Sequence, residues 1–419
     1  MPREQVETLV IGGGQAGLAM SHMLRRRGRP HLVVERGRVA ERWRTERWDG
    51  LRFQFPNWSV RLPDLPFAHP EPDGFASAAE ILDYLEAYAA FVRPPIRCGC
   101  PATRLRRSGR GAGFVAETPD GDIEAANVVV ATGPYQRPVA PRLPGDGAAG
   151  LFQVHASAYR EPAQLPPRAV LVVGSGASGA QIAEELALAG RRVYLSVGRH
   201  RRMPRRYRGR DLIWWLIEMG LDRTPVERRG PDATLPLITG AYGGYTIDFR
   251  AFPARGITLL GRVRAVREGA VSLAPDLRES LAFGDAAHAA FLDLVDAHVA
   301  RSGLDVPADA AARSVLPDPP CVREPIPELD LRAAGVGAVV WATGYAYDLG
   351  WIGLPVLDAR GTPVHAHGAA VIPGLYFLGL PWLSRMSSSF LSGVGDDAAR
   401  LADLIDLRSR RELPEHVGA

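Results

Sequence analysis

Thr8-Leu9-Val10-Ile11-Gly12-Gly13-Gly14-Gln15-Ala16-Gly17 reads as a buried strand, a glycine turn and the first turn of a helix. Gly12 permits the tight turn, Gly14 lets the backbone approach a pyrophosphate, and Gly17 lets the helix pack closely on the strand. The N–H groups at the helix start then face the phosphates. The next residues strengthen the pattern: a helical run over 18–27, a stop at Gly28, and a second strand, His31-Leu32-Val33-Val34, ending in Glu35. An acid about 20 residues beyond the fingerprint is where a ribose hydroxyl needs an acceptor. The stretch therefore predicts a dinucleotide-binding strand–helix–strand unit, with Gly12, Gly14, Gln15, Ala16, Gly17, Glu35 and the adjacent Arg36 at the ligand.

The 419 residues suffice for two or three domains with sizeable cores. All 50 basic side chains are arginine and none is lysine, so Schiff-base lysine chemistry is ruled out. A net charge of +4 does not by itself argue for nucleic acid. Cys98, Cys100 and Cys321 are too few for a disulfide framework. The Cys98-Gly99-Cys100 spacing matches neither a redox pair nor half of a zinc site, so no metal is expected. The first strand begins within a few residues of Met1, leaving no room for a signal peptide, and no apolar run approaches membrane-spanning length. A cytoplasmic, bacterial-type enzyme is expected.

Beyond Glu35 lies Glu41-Arg42-Trp43-Arg44-Thr45-Glu46-Arg47-Trp48, then Phe53-Gln54-Phe55-Pro56-Asn57-Trp58. Indoles and arginines this close to a dinucleotide unit suggest a segment folded over an aromatic, anionic cofactor, with Trp43 against it. Residues 77–91 have helical periodicity, and Ser77 with Glu80 forms a candidate capping box. Val128 to Pro134 repeats a buried strand ending in a small-residue turn, Ala131-Thr132-Gly133, placing Thr132 and Gly133 at the same ligand. The proline-rich run 137–145 is linker material, and a domain hinge is expected there.

A second fingerprint comes in Val173-Gly174-Ser175-Gly176-Ala177-Ser178-Gly179, opening a helix from Ala180 to Leu188. Its next strand, 193–197, ends without an acid in Gly198-Arg199-His200-Arg201-Arg202. Arginine at that position suits a 2′-phosphate, so Gly174, Ser175, Gly176, Ser178, Gly179 and Arg199 are expected to hold NADPH rather than NADH. Residues 211–312 include Ile213-Trp214-Trp215-Leu216-Ile217, a glycine-rich turn at 240–244 and a helix over 286–301; they read as an insertion covering the substrate. Ala342-Thr343-Gly344-Tyr345 mirrors the earlier small-residue turn. Gly374-Leu375-Tyr376-Phe377-Leu378-Gly379 reads as a last strand, with Gly379 at the first cofactor. A closing helix over 394–404 is expected to direct its N-terminus at the cofactor ring.

Two dinucleotide sites in one chain are most simply explained by hydride transfer from one to the other, and a flavin accepts such a hydride. With these motifs the chain resembles the class B flavoprotein monooxygenases: the flavin-containing monooxygenases, the YUCCA-like enzymes and the Baeyer–Villiger enzymes. It is most similar to a bacterial branch carrying a serine-rich turn, here Ser387-Ser388-Ser389-Phe390, before the last helix. The resemblance implies FAD at the first fingerprint, NADPH at the second, and an Asn57 amide near the reacting atoms as the catalytic group. It departs from the family at Ala149 and Leu151, where Phe and Gly stand elsewhere, while His155 and Tyr159 keep the pattern; His155 reads as a structural residue. Leu380 replaces the aspartate that many flavoproteins carry after Gly379.

The expected architecture is α/β, with two Rossmann-like domains built on doubly wound parallel sheets. The FAD domain is discontinuous: 1–160, then an NADPH domain over 161–325 carrying the insertion at 211–312, then a return over 326–419. The expected activity is a single-component NADPH-dependent monooxygenation of a small organic substrate by O2, through a C4a-(hydro)peroxyflavin. N- or S-oxygenation, Baeyer–Villiger reaction and hydroxylation stay open. Neither nucleic acid nor membrane is an expected partner, and a homodimer is allowed. Two other readings stand beside it: a flavin oxidase or dehydrogenase with a vestigial nicotinamide site, and a non-catalytic module reporting redox state.

Overall fold

In the computed structural model, residues 4–109, 113–141, 151–230, 236–267 and 269–412 are described. The opening stretch folds as β1 (Glu4–Ile11) and α1 (Gln15–Arg26). β2 (His31–Glu35) runs parallel to β1 with Ile11 beside Val34, which closes the first strand–helix–strand unit. α2 (Ala78–Val92) starts at the expected box: Ser77 Oγ accepts the Glu80 amide, and the Glu80 carboxylate accepts the Ser77 amide. β3 (Ile96–Cys98) extends the sheet beyond β2. The hairpin β4 (Arg104–Arg107) and β5 (Phe114–Thr118) attaches to β6 (Gly121–Val130), which lies parallel on the other side of β1.

The chain then builds a second sheet. Its strands are β7 (Phe152–His155), β8 (Ala169–Val173), β9 (Val193–Ser196), β10 (Ile257–Leu260) and β11 (Val336–Trp341). They are all parallel, in the order β7-β11-β8-β9-β10. α3 (Ala177–Leu188) links β8 to β9 and repeats the role of α1. Every residue of β8 and β11 is buried, as a parallel strand covered on both faces must be. The first sheet is completed only at the end of the chain, where β12 (Leu375–Phe377) joins β6 and the helix Val394–Glu412 packs on α1.

The two halves share one plan. β1 and β8 are central, and a strand–turn packs against each glycine turn. At both sites the glycine is required: Gly12 has φ +119° and Gly174 φ +106°, and a Cβ would press on the carbonyl oxygens of Ala131 and Ala342 respectively. Where the chain crosses between halves, Arg137-Pro138 pairs antiparallel with Tyr345-Ala346, and the Val139 amide donates to the Gly344 carbonyl at 3.0 Å. The rest of the proline-rich linker, 142–145, and Ala149 lie outside the described residues.

Residues 211–312 do more than cover. They supply β10, an edge strand of the second sheet, and a helix, Leu277–Ser302, that starts well before Ala286. Gly284 obscures that start in the sequence; the His200 ring occupies the place where its Cβ would be, 2.8 Å away. The closing helix likewise runs past Leu404, because buried Leu401, Ala402 and Ile405 continue its apolar face and Asp406 pairs with Arg29 at 2.5 Å. No helix among the described residues is long and apolar enough to cross a membrane.

Candidate cofactor and substrate site

A cavity of about 450 Å³ opens at the C-terminal edge of the first sheet. That is where open α/β sheets place their ligands. Gly12, Gly14, Gln15 and Ala16 form one wall, and Glu35 and Arg36 close the end beyond β2. A Cβ at Gly14 would meet nothing within 4 Å, so this backbone lies open to the cavity. Gly17 does not line the cavity. It sits behind the turn, where a Cβ would overlap the Gly12 carbonyl oxygen, so α1 needs glycine there to reach the strand. Glu35 is fixed by two backbone donors, Gly13 at 2.6 Å and Gly37 at 2.8 Å. Each oxygen keeps acceptor capacity for a hydroxyl.

Beside the Gly12 turn the lining continues through the turn at Thr132 and Gly133, together with Tyr135 and Gln136. The Gln136 side-chain amide ties this turn together, donating to Thr132 Oγ1 and to the Gly133 carbonyl, both at 2.7 Å. Trp43 lies along the cavity with its ring edge-on to Phe53, 5.8 Å away. Gly379 lines it too, and Leu380 is buried behind.

At its far end the cavity becomes aromatic and apolar. Phe53 packs on Phe55 at 5.4 Å, and Phe55 on Phe390 at 4.9 Å. Ile213, Leu216 and Ile238 close over them from the 211–312 stretch. This apolar end is not assigned by the sequence beyond the suggestion of a cover. Its signal is the Phe53-x-Phe55 alternation, which only the serine-rich turn completes.

The second fingerprint forms a separate surface. Gly176 and Ser178 are exposed at the start of α3, and a Cβ at Gly176 would meet nothing within 4 Å. Ser175 is buried, and its Oγ accepts the Gly198 amide at 3.0 Å, so it anchors the turn beyond β9. Gly179 packs α3 on the Gly174 carbonyl. Arg199 is exposed, its guanidinium 3.8 Å above the Phe283 ring. The basic run after β9 does not act as one patch: Arg202 is buried between Asp248 and Asp285.

Asn57 does not line the cavity. It is 1% exposed, its amide nitrogen donates to the Glu71 carbonyl at 2.9 Å, and its Oδ1 has no hydrogen-bond partner among the described residues. His155 accepts the Ser157 amide at Nδ1, so its proton sits on Nε2 and is donated to Gly344 at 3.0 Å. Burial holds the ring below the ordinary histidine pKa. It therefore clamps the crossing of the two halves. The closing helix carries Asp396 and Asp397 in its first turn, and Asp397, fully buried, accepts from Ser384 Oγ at 2.5 Å. Ser389, Phe390 and Leu391, just before this helix, line the cavity.

All three cysteines are free thiols. Cys100 lines the cavity beside Glu35, at the end remote from the aromatic cluster, and its amide donates to the Glu35 carbonyl at 2.9 Å. Burial pushes this thiol above its usual range, which makes it a poor nucleophile. No group of residues able to hold a metal is present among the described residues.

Residues 9–214 match the pyridine nucleotide-disulphide oxidoreductase family. A CzcO-like oxidoreductase of Geobacillus kaustophilus is 34% identical over 399 residues, covering 94% of this chain and 97% of its own length. The chain belongs to the CzcO-like oxidoreductases. An Arabidopsis thaliana protein described as a probable indole-3-pyruvate monooxygenase, YUCCA1, is 34% identical over 181 residues, 42% of this chain and 44% of its own. Among solved structures, a flavin-containing monooxygenase from Stenotrophomonas maltophilia superposes with a TM-score of 0.68 at 19% identity, covering 97% and 99% of the two chains. This CzcO-like oxidoreductase is thus built on two Rossmann-type domains, as its motifs implied.

Proposed function

We propose that this chain is a single-component, NADPH-dependent FAD monooxygenase that transfers one oxygen atom of O2 to a small organic substrate. The observation that carries the reading is one continuous cavity. It runs from the Gly12–Ala16 turn, along Trp43, into an apolar, aromatic chamber roofed by Ile213, Leu216 and Ile238. Such a chamber shields a reactive centre from water. A disulfide reductase would need a thiol pair at that end, and the three cysteines lie elsewhere.

The residues present fit a flavin. Gly12, Gly14, Gln15, Ala16 and Gly17 shape the turn that would hold its pyrophosphate, Glu35 and Arg36 its ribose end, and Trp43, Thr132, Gly133 and Gly379 its length. Gly174, Ser175, Gly176, Ser178 and Gly179 would hold NADPH, with Arg199 on the 2′-phosphate. Bound flavin would accept a hydride from NADPH and pass electrons to O2. The protein's part is to align the two cofactors, exclude water at Phe53, Phe55 and Phe390, and seat the substrate under Leu216. Asn57 is assigned to positioning: by holding the Glu71 carbonyl it fixes the turn that carries Phe55. The expected bounds of 1–160 and 326–419 for the FAD half move on this reading to residues up to the crossing near 141 and those after Trp341, because Phe152–His155 and Val336–Trp341 are strands of the second sheet. The NADPH half lies between, and the enzyme works in the cytoplasm.

The test is anaerobic reduction of the flavin-loaded protein by NADPH, then mixing with ¹⁸O₂ and a panel of amines, sulfides and ketones. Label in an organic product, with NADPH consumed in step, is expected. Stoichiometric hydrogen peroxide with every substrate, or no reduction by NADPH, would overturn the reading.

A further inference from the structure

The cavity wall nearest the second sheet carries a guanidinium to which the proposed function gives no task. Arg47 lines the cavity and stacks 4.9 Å from the centroid of the Trp43 ring. Its side chain makes one hydrogen bond, from Nη1 to the Glu46 carbonyl at 2.9 Å, and no ion pair among the described residues. The adjacent carboxylate, Glu46, is already held by Arg42 at 2.5 Å. Tyr135 and Tyr345, whose rings meet edge-on 5.3 Å apart, belong to the electrostatic surroundings of Arg47.

The contrast with other secluded arginines is informative. Arg202 is paired with Asp248, and Arg205 with Asp211, each inside the protein. Arg47 is half-buried beside aromatic rings with no such partner among the described residues, and arginine stays charged in nearly any surroundings. Taking a charge out of water without a counter-charge is unfavourable, and a bound anion offsets it. Position adds the second clue. Tyr345 comes directly after Ala342-Thr343-Gly344, the turn packed against Gly174, so Arg47 stands where a ligand lying on the second fingerprint would enter the cavity.

We propose that Arg47 is an oxyanion hook, which takes the phosphate or carboxylate group of a ligand reaching from the second sheet's turn into the cavity. The planar fork of arginine suits either oxyanion. Two sources supply this chemistry: the pyrophosphate of the pyridine nucleotide, or the carboxylate of an organic acid substrate. The first source rests on the function proposed above; the second does not.

The test uses flavin-loaded wild-type protein, Arg47→Gln and Arg47→Lys. One arm measures the NADPH concentration giving half-maximal anaerobic flavin reduction and the limiting rate. The other titrates benzoate, with neutral benzamide as control, by perturbation of the flavin spectrum. Arg47→Gln is expected to raise at least one of the two half-saturation values tenfold or more, leaving the limiting rate and the benzamide response unchanged. A change in the NADPH arm alone identifies the nucleotide phosphate; a change in the benzoate arm alone identifies a substrate carboxylate. If Arg47→Gln loses flavin, Arg47→Lys, which keeps the charge and loses the fork, is read by the same arms. Values within twofold of wild type in both arms would overturn the proposal, as would a wild-type protein that responds to neither ligand. A wild-type protein that binds benzoate through Arg47 and is not reduced by NADPH would sink the monooxygenase reading and keep the hook.

Discussion

The side-chain amide of Gln15 donates to the carbonyl oxygen of Ser389 at 2.9 Å. This joins the first residue of α1 to the serine-rich turn, and both residues line the cavity. The glycine turn and the aromatic end are thereby one mechanical unit, so loss of the bond should be felt as cofactor retention. A neutral hydrogen bond of this kind contributes about 1 kcal/mol net. We predict that Gln15→Leu releases flavin roughly fivefold faster, read as loss of flavin absorbance after dilution and gel filtration. An unchanged release rate would show that the tie shapes the fold alone.

Gly12 and Gly174 make equivalent contacts in the two halves, which sets up a paired prediction. Alanine at either would combine a positive φ with pressure on a carbonyl oxygen, at Ala131 or at Ala342. The strain is of order 1–3 kcal/mol and falls on the turn that would meet phosphates. Gly12→Ala should purify without flavin. Gly174→Ala should keep its yellow colour and lose reduction by NADPH. Equal flavin loss in both variants would contradict the division of labour between the sheets.

Local motifs made much of this legible. Both fingerprints, the Ser77–Glu80 box and the small-residue turns at Thr132 and Thr343 depend on glycine geometry and capping within a few residues, and such rules survive in any tertiary setting. What the sequence hid was assembled across long separations. Phe55 meets Phe390 only once the chain has crossed to the second sheet and returned. β10 is obscured inside 211–312 because Ile257–Leu260 is a short apolar run, which periodicity cannot separate from loop or helix. Likeness alone places Asn57 at the cofactor, and packing buries it away from the cavity. Arg47 is marked only as one of the arginines of the 41–48 segment, since what sets it apart is which of them lack an acid.

The arginine run after β9 illustrates that last point and yields its own prediction. Arg202 is 5% exposed and held by Asp248 and Asp285, so it is committed to the core, while Arg199 is exposed over Phe283. Only a residue in the latter position can meet a 2′-phosphate arriving from solvent. Arg199→Ala should raise the NADPH concentration for half-maximal flavin reduction about tenfold, the loss of a charged hydrogen bond, and that for NADH less than about twofold. Equal losses for both nucleotides would remove the 2′-phosphate role.

Glu185 on α3 supplies a pH prediction of definite sign. Burial, the largest influence, raises its carboxyl to about 6 from the ordinary 4.5; Asp49 and Glu161 add to the rise and the hydrogen bond from Tyr159, 3.0 Å, opposes it. The folded state therefore holds this proton more tightly than the unfolded chain. Its contribution to stability is full below about pH 4.5 and is lost as the pH rises through about 6. Discounted for partial solvent screening, the effect is on the order of 1 kcal/mol. Glu185→Gln keeps an acceptor for Tyr159 and cannot ionise, so it should be more stable than wild type by that amount above about pH 7, with the gap closing toward pH 4.5. Urea unfolding of the two proteins at both ends of this range decides the matter: a gap that stays constant with pH would assign the difference to packing instead of titration.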